Sequence, residues 1–252
     1  KINFLINILN KNNNNFFTGV PDSVLKELSF YLQNKTKKNH VIATNEGSAI
    51  SIGIGHYLST KKIPCIYMQN SGLSNALNPL ISIAHQKVYS IPLILIIGWR
   101  GSPKSKDEPQ HKQQGKITEK LLKLLEIEFK TYREDNIDYT LSYLLEKTKK
   151  VKNPVALLFK KKYLSFAIES IIKQNSKETE LSRYSTIEIL KNFTKKDDIL
   201  VSTTGKTSRE LYLLQNSKSK ELSDLYVVGG MGHASSIILG ILSSIKNKRI
   251  FL

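Results

Sequence analysis

The run Ile91–Gly98, IPLILIIG, constrains the fold of this chain more than any other eight residues. A continuous apolar stretch of strand length, bounded by Pro and Gly, suits a strand buried on both faces, as in a parallel sheet covered by helices. It is one of a series. Phe16–Gly19, His40–Ala43, Pro64–Met68 and Pro154–Phe159 are further strand-length segments. Between them the spacing is helical: Ile2, Leu5, Ile6 and Leu9 share a face, and Asp22 or Ser23 caps a helix through Leu32. Glu46–Leu58, Ser71–Ala84, Ile117–Leu125 and Ile137–Lys150 also read as helices. Strand and helix alternate throughout, which predicts an α/β fold with a doubly wound parallel sheet.

That pattern fills residues 1–165. Residues 166–185 are polar and weakly periodic and read as a linker. A second unit, 186–252, then begins with a helix at Thr186–Phe193, a strand at Ile199–Ser202 and a helix at Ser208–Leu214. A strand at Leu225–Val228, a helix at Ala234–Ile245 and a strand from Ile250 follow, and the unit is expected to be a truncated domain of similar topology.

A chain of 252 residues has room for one large α/β domain and part of another. The lone Cys65 excludes an internal disulfide and reads as a buried core thiol in a reducing, cytoplasmic compartment. Lys1–Asn15 lacks the pattern of a signal peptide, and no apolar run reaches the roughly 18 residues that cross a bilayer, so no membrane association is expected. The net charge of +17 comes from lysines scattered through runs such as Lys35–Lys38 and Lys147–Lys152. Scattered charge without interleaved aromatics argues against nucleic acid and favours a small anionic substrate.

In open α/β sheets ligands collect beyond the carboxyl ends of the strands. The chain places there TGVPDS (Thr18–Ser23), Glu46, QNSGLSNALN (Gln69–Asn78) and a loop beyond Gly98 carrying Trp99, Arg100, Asp107, Glu108, Gln110, His111 and Gln114. Glu46 also suits a first-turn acid favoured by the helix dipole, and each loop taken alone is an ordinary strand-to-helix turn. The guanidinium of Arg100 suits a tetrahedral oxyanion, and His111 suits proton relay near neutral pH. A competing reading is that Arg100 and Asp107 pair to hold the loop. STTGKTSREL (Ser202–Leu211) is not a Walker loop, because Leu200 stands where that pattern needs glycine. Gly53 and Gly55 lack the third glycine of a dinucleotide fingerprint and read as helix-packing positions. Gly229–Ile241 is a Gly-rich loop opening a helix, a ready anion site. No His/Cys cluster has zinc-ligand spacing.

GWRGSPKSKDEPQHKQQG, together with ATNEGSAISIGIGHYLST (Ala43–Thr60) and YMQNSGLSNALNPL (Tyr67–Leu80), resembles the thiamine-diphosphate-dependent 2-oxo acid decarboxylases, and among them those acting on phosphonopyruvate. The resemblance is dense from Phe16 to about Gly115 and returns at Leu200–Gly240. It implies a pyrimidine-binding domain at 1–165 and the start of a diphosphate-binding domain at 186–252. Glu46 matches the glutamate that hydrogen-bonds the cofactor's aminopyrimidine and promotes proton removal from the thiazolium. Pro21, Asn70, Ser71, Gly72 and Asn75 match the pocket around that ring. Thr204, Gly205, Gly230, Met231, Gly232 and His233 match the second domain's cofactor loops, with Met231 supporting the bent cofactor. Arg100, His111 and Asp22 are the expected substrate contacts.

The implied reaction converts 3-phosphonopyruvate to phosphonoacetaldehyde and CO₂, a step of phosphonate biosynthesis. Sulfopyruvate decarboxylation is the sibling reading, and a truncated, non-catalytic subunit or binding module is the rival of a different class. The resemblance further implies Mg²⁺ held by a Gly-Asp-Gly motif expected beyond Leu252. The chain alone is therefore expected to lack metal ligands and activity. A homodimer or larger assembly with the cofactor at the subunit interface is implied as well.

Overall fold

The computed structural model describes residues 2–35, 37–160, 181–195, 197–203, 205–214, 224–230, 232–245 and 247–252. The chain divides into two compact units, Lys1–Ile171 and Ile172–Leu252.

The first unit holds a six-stranded sheet. Its strands are β1 (Phe17–Gly19), β2 (His40–Ile42), β3 (Cys65–Gln69), β4 (Ile94–Trp99), β5 (Glu128–Thr131) and β6 (Val155–Lys160). Their order is β2-β1-β3-β4-β6-β5, and every pairing is parallel. The helices are α1 (Ile2–Lys11), α2 (Lys26–Lys35), α3 (Glu46–Thr60), α4 (Leu73–Pro79, running into a π-helical turn at Leu80–Ala84), α5 (Pro109–Leu124) and α6 (Ile137–Val151).

β4 is the predicted apolar run, and all six of its residues are buried. Its start shifts from Ile91 to Ile94 and its end extends to Trp99, which pairs with Lys160. Side chains alternate across the pleat. Ile94 and Ile96 join Cys65, Tyr67, Val155 and Leu157 in a core closed by α1, α2 and α6. Leu95, Ile97 and Trp99 join Ile66, Met68, Ala156 and Leu158 in a core closed by α3, α4 and α5. Helices therefore cover both faces, and the strands share carboxyl ends along one edge.

Two elements depart from the sequence reading. β5 was not expected; its EFKT sequence lacks a buried run, and the strand forms at the sheet margin by pairing with β6 alone. The segment expected to be a loop through Gln114 instead becomes helical at Pro109, the first residue of α5. Proline is at home there because a first-turn N–H has no intrahelical partner to lose. Gln110, His111 and Gln114 thus sit on a helix, and Trp99 sits in a strand.

The second unit has a three-stranded parallel sheet, β8-β7-β9, from β7 (Ile199–Ser202), β8 (Asp224–Tyr226) and β9 (Ile250–Phe251). Its described helices are α7 (Arg183–Phe193), α8 (Lys206–Leu213) and α9 (Ala234–Ser244). Ser182 caps α7 by accepting from the Ser185 N–H, so the end of the expected linker is helix. Residues 166–180 of that linker lie outside the described residues.

Candidate functional site

The first unit's candidate site is built from the carboxyl ends of β1, β2, β3 and β4. Asn45 caps α3, its Oδ1 accepting from the Ser48 N–H at 2.8 Å, and this makes Glu46 the first helical residue. A carboxylate is favoured in that turn, yet Glu46 is only 2% exposed. Its Oε2 accepts from Asn75 Nδ2 at 2.9 Å. Its Oε1 is buried with no hydrogen-bond partner among the described residues.

Gly72 makes room for this carboxylate. A Cβ there would stand 2.3 Å from Glu46 Oε1, closer than any real carbon approaches oxygen. Gly47 acts similarly, since a Cβ would meet the Asn75 carbonyl at 2.9 Å and spread α3 from α4. Ser71 accepts from Gln69 Nε2 at 2.6 Å. Gly53 fits the packing expectation, with Ile66 Cδ1 2.7 Å from its would-be Cβ; Gly55 does not, having nothing within 4 Å.

A second cluster lies beyond β1 and β4. Asp22 follows the exposed Pro21 and is buried. Its Oδ2 accepts from the N–H groups of Val24 at 2.9 Å and Leu25 at 3.2 Å, while Oδ1 is buried without a partner among the described residues. Gly98 is the floor, because a Cβ there would lie 2.0 Å from Oδ2. Burial pushes the Asp22 pKa up to about 6, against the two N–H groups and the nearby Arg100 charge that pull it down.

Arg100 forks onto Asp107, with Nε to Oδ2 at 2.8 Å and Nη2 to Oδ1 at 2.5 Å. Its Nη1 donates to Ser23 Oγ at 3.0 Å. The fork, with the N–H groups of Gly101 and Glu108, holds the Asp107 carboxyl far below the usual carboxylate range. The pairing considered as a loop-holding contact is thus formed, and the Asp107 carboxylate closes the turn in which Arg100 stands.

Asn70 fixes the same turn from behind. Its Oδ1 accepts from the Arg100 N–H at 3.0 Å, and its Nδ2 donates to the Arg100 carbonyl at 3.0 Å and to Thr118 Oγ1 at 2.9 Å. Both amide hydrogens are committed, so Asn70 ties β3 to β4 and α5. His111 is half-buried near the start of α5, and its backbone N–H donates to the Glu108 carbonyl at 2.9 Å. Gly101 (φ +64°) crosses it so closely that a Cβ would lie 2.0 Å from the His111 carbonyl oxygen. The structure brings Glu46, Gly72 and Asn75 together, and separately Asp22, Arg100 and Asp107. Gly98 and Thr118 are contributors that sequence reasoning did not single out, and Ser23 was read as a helix cap in the TGVPDS loop and not as a partner of Arg100. Gly98 ends an apolar run, which is a signal for a close approach; Thr118 carried none.

The second unit has a cradle of its own. Gly230 (φ +64°) and Gly232 (φ +82°) take left-handed backbone just before α9, a conformation that favours glycine. They line a hollow of about 140 Å³ with Thr203, Ala234 and Ser235, and the His233 N–H donates to the Gly230 carbonyl at 3.1 Å. Gly205 (φ +81°) precedes α8, and a Cβ at any of these three glycines would meet nothing within 4 Å among the described residues. Thr204 and Met231 lie outside the described residues.

The chain is similar in sequence to known proteins. Residues 2–122 match the family model described as thiamine pyrophosphate enzyme, N-terminal TPP binding domain. Phosphonopyruvate decarboxylase from Streptomyces viridochromogenes is 31% identical over 238 residues, covering 88% of this chain and 58% of that protein. The chain thus spans little more than half of that relative's length. Sulfopyruvate decarboxylase subunit alpha from Methanocaldococcus jannaschii is 35% identical over 172 residues, which is 66% of this chain and 96% of that subunit. Among solved structures, benzoylformate decarboxylase from Polynucleobacter necessarius aligns with 82% of this chain and 39% of its own, at 17% identity and a TM-score of 0.48.

Proposed function

The chain belongs to the thiamine pyrophosphate enzymes, in the family that includes the phosphonopyruvate and sulfopyruvate decarboxylases, and from that premise we propose that it carries the cofactor-activating part of a decarboxylase for an anionic 3-substituted 2-oxo acid. Phosphonopyruvate is the first substrate reading, yielding phosphonoacetaldehyde and CO₂. Sulfopyruvate is the second, supported by the near-complete coverage of an alpha subunit.

One observation carries the proposal. Glu46 is buried with one oxygen satisfied by Asn75 and the other left without a partner, beside a glycine that keeps the space open. An unpaired buried carboxylate oxygen costs roughly 1–3 kcal/mol or more, and a ring nitrogen bearing a proton relieves it. The residues fit thiamine diphosphate on this ground. Oε1 of Glu46 would hold the aminopyrimidine edge and exchange a proton there, with Pro21, Asn70, Ser71, Gly72 and Asn75 around it. Gly205, Gly230, Gly232 and His233, with Thr204, would receive the diphosphate by the anion preference of a helix amino end, and Met231 would support the bent cofactor. When bound, the cofactor supplies the electron sink for loss of CO₂.

The chain's own residues do the remainder. Arg100, already anchored by Asp107 and Ser23, would set a fixed positive charge toward the substrate's anionic tail. Asp22, whose carboxyl holds its proton up to about pH 6, and His111 would carry protons beside it. Among the described residues no three His, Cys, Asp or Glu side chains cluster to hold a metal ion. We further assign the protein to a homodimer or larger assembly with the cofactor at a subunit interface.

The test is aldehyde release with thiamine diphosphate and Mg²⁺, running phosphonopyruvate, sulfopyruvate and pyruvate side by side. Phosphonopyruvate is expected to be preferred, and Glu46→Gln to lower turnover by roughly 10² to 10⁴ while cofactor binding, followed by calorimetry, weakens but persists. Confirmed cofactor binding with no turnover of any 2-oxo acid would end the decarboxylase reading and leave a binding module.

A further inference from the structure

The amino edge of the large sheet carries a second concavity. It is a cleft of about 320 Å³ bounded by the segments leading into β1, β3 and β4 and by the ends of α3 and α6. Pro64 and strand β3 separate Ile63 in this cleft from Asn70 at the carboxyl edge, a span of roughly 23 Å at about 3.3 Å per residue.

Four lysines converge on it: Lys61 and Lys62 just past α3, Lys149 in the last turn of α6, and Lys152, which caps that helix. A lysine near a helix carboxyl end is ordinarily explained by the partial negative charge of the last carbonyls, about half a unit per helix. Three helix ends, those of α1, α3 and α6, meet here and supply on the order of one and a half negative charges. The four ammonium groups exceed that by more than two. No carboxylate lines the cleft, and none of the four lysines forms an ion pair among the described residues.

Asn14 is a separate observation. It lines the cleft and is 2% exposed; its Nδ2 donates to the Ile63 carbonyl at 2.9 Å, and its Oδ1 is buried without a partner among the described residues. A buried amide oxygen left unmade is destabilising, and a ligand hydroxyl supplies the donor it lacks. Excess positive charge calls for a polyanion, the orphan acceptor calls for an O–H, and the volume sits at the lower end of small-ligand pockets.

We propose that this cleft binds a small phosphate-bearing, hydroxylated anion, at the opposite edge of the sheet from Glu46. The site does not depend on the decarboxylase reading. Its test is calorimetric titration of the chain at low salt with two probes, inorganic pyrophosphate and ribose 5-phosphate. Saturable binding is expected, weakened tenfold or more in K62Q/K149Q/K152Q. It is expected to change less than twofold in K116Q/K120Q/K123Q, which removes the same charge from the exposed face of α5. Glutamine keeps most of each lysine stem, so the fold is retained and melting curves verify it. Tighter binding of ribose 5-phosphate than of inorganic phosphate, titrated as a third probe, is expected from the Asn14 acceptor, and equal affinity would overturn the hydroxylated ligand. No saturable binding, equal weakening in both triple variants, or binding unchanged in K62Q/K149Q/K152Q would overturn the proposal; the last would place the phosphate elsewhere, as at the glycine loop before α9.

Discussion

Asp22 is placed where its charge is least welcome, and that makes it a test of the candidate site. The carboxyl holds its proton up to about pH 6 in the fold, against 3.8 ordinarily. Between those values the native state binds more protons than the unfolded chain, so stability falls as pH rises through the window and stays lower above it. Asp22→Asn keeps an acceptor for the Val24 and Leu25 N–H groups and removes the buried charge. It is expected to raise stability at pH 7, by something on the order of 2 kcal/mol, and to match the wild type near pH 4. If Asp22 carries a proton to the substrate, the same variant should lose roughly 100-fold in turnover. Gain in stability with loss of activity is the signature of a residue kept for function. Thermal melts across pH 4–8 check the first half, and a melting temperature lowered at pH 7 would contradict the burial argument.

The helix beyond β4 shows what local pattern conveys and what it does not. PQHKQQG has no apolar periodicity and ends in a glycine, so its sequence gives little reason to expect a helix before Ile117. The seat is tertiary: a Cβ at Gly115 would lie 1.8 Å from the Gly101 carbonyl oxygen, and the Gly115 carbonyl accepts from Trp99 Nε1 at 3.0 Å. Gly115→Ala is therefore expected to cost about 1–3 kcal/mol by forcing α5 off the sheet, displacing His111 and lowering kcat/KM. Gly55→Ala, in the exposed and unobstructed part of α3, is expected to gain roughly 0.5–1 kcal/mol from helix propensity. Chemical denaturation of the pair reads both signs, and two equal changes would refute the close-crossing argument. The buried strands and amphipathic helices were legible because burial writes its period into the chain. β5 was not, since a marginal strand with one partner needs few apolar residues. Nor were the partners of Asn70 legible: the residue stood out among the expected site positions, but that its amide spans Arg100 and Thr118 depends on which strands lie side by side.

At the scale of the molecule the dominant property is charge, +17 over 252 residues, spread across lysine-bearing surfaces. A field of that sign raises the encounter rate of an anion and is damped by salt. The Debye length falls from about 30 Å at 0.01 M to about 8 Å at 0.15 M ionic strength. If the substrate is the phosphonate or sulfonate of the proposal, kcat/KM at saturating cofactor should drop over that salt range while kcat holds. Pyruvate, which lacks the second anionic group, should show a shallower slope. The contrast separates long-range attraction from salt effects on the protein, because those lower both substrates alike. Parallel slopes would mean that the second anion is not sensed on approach, and would leave recognition to the short-range contacts around Arg100.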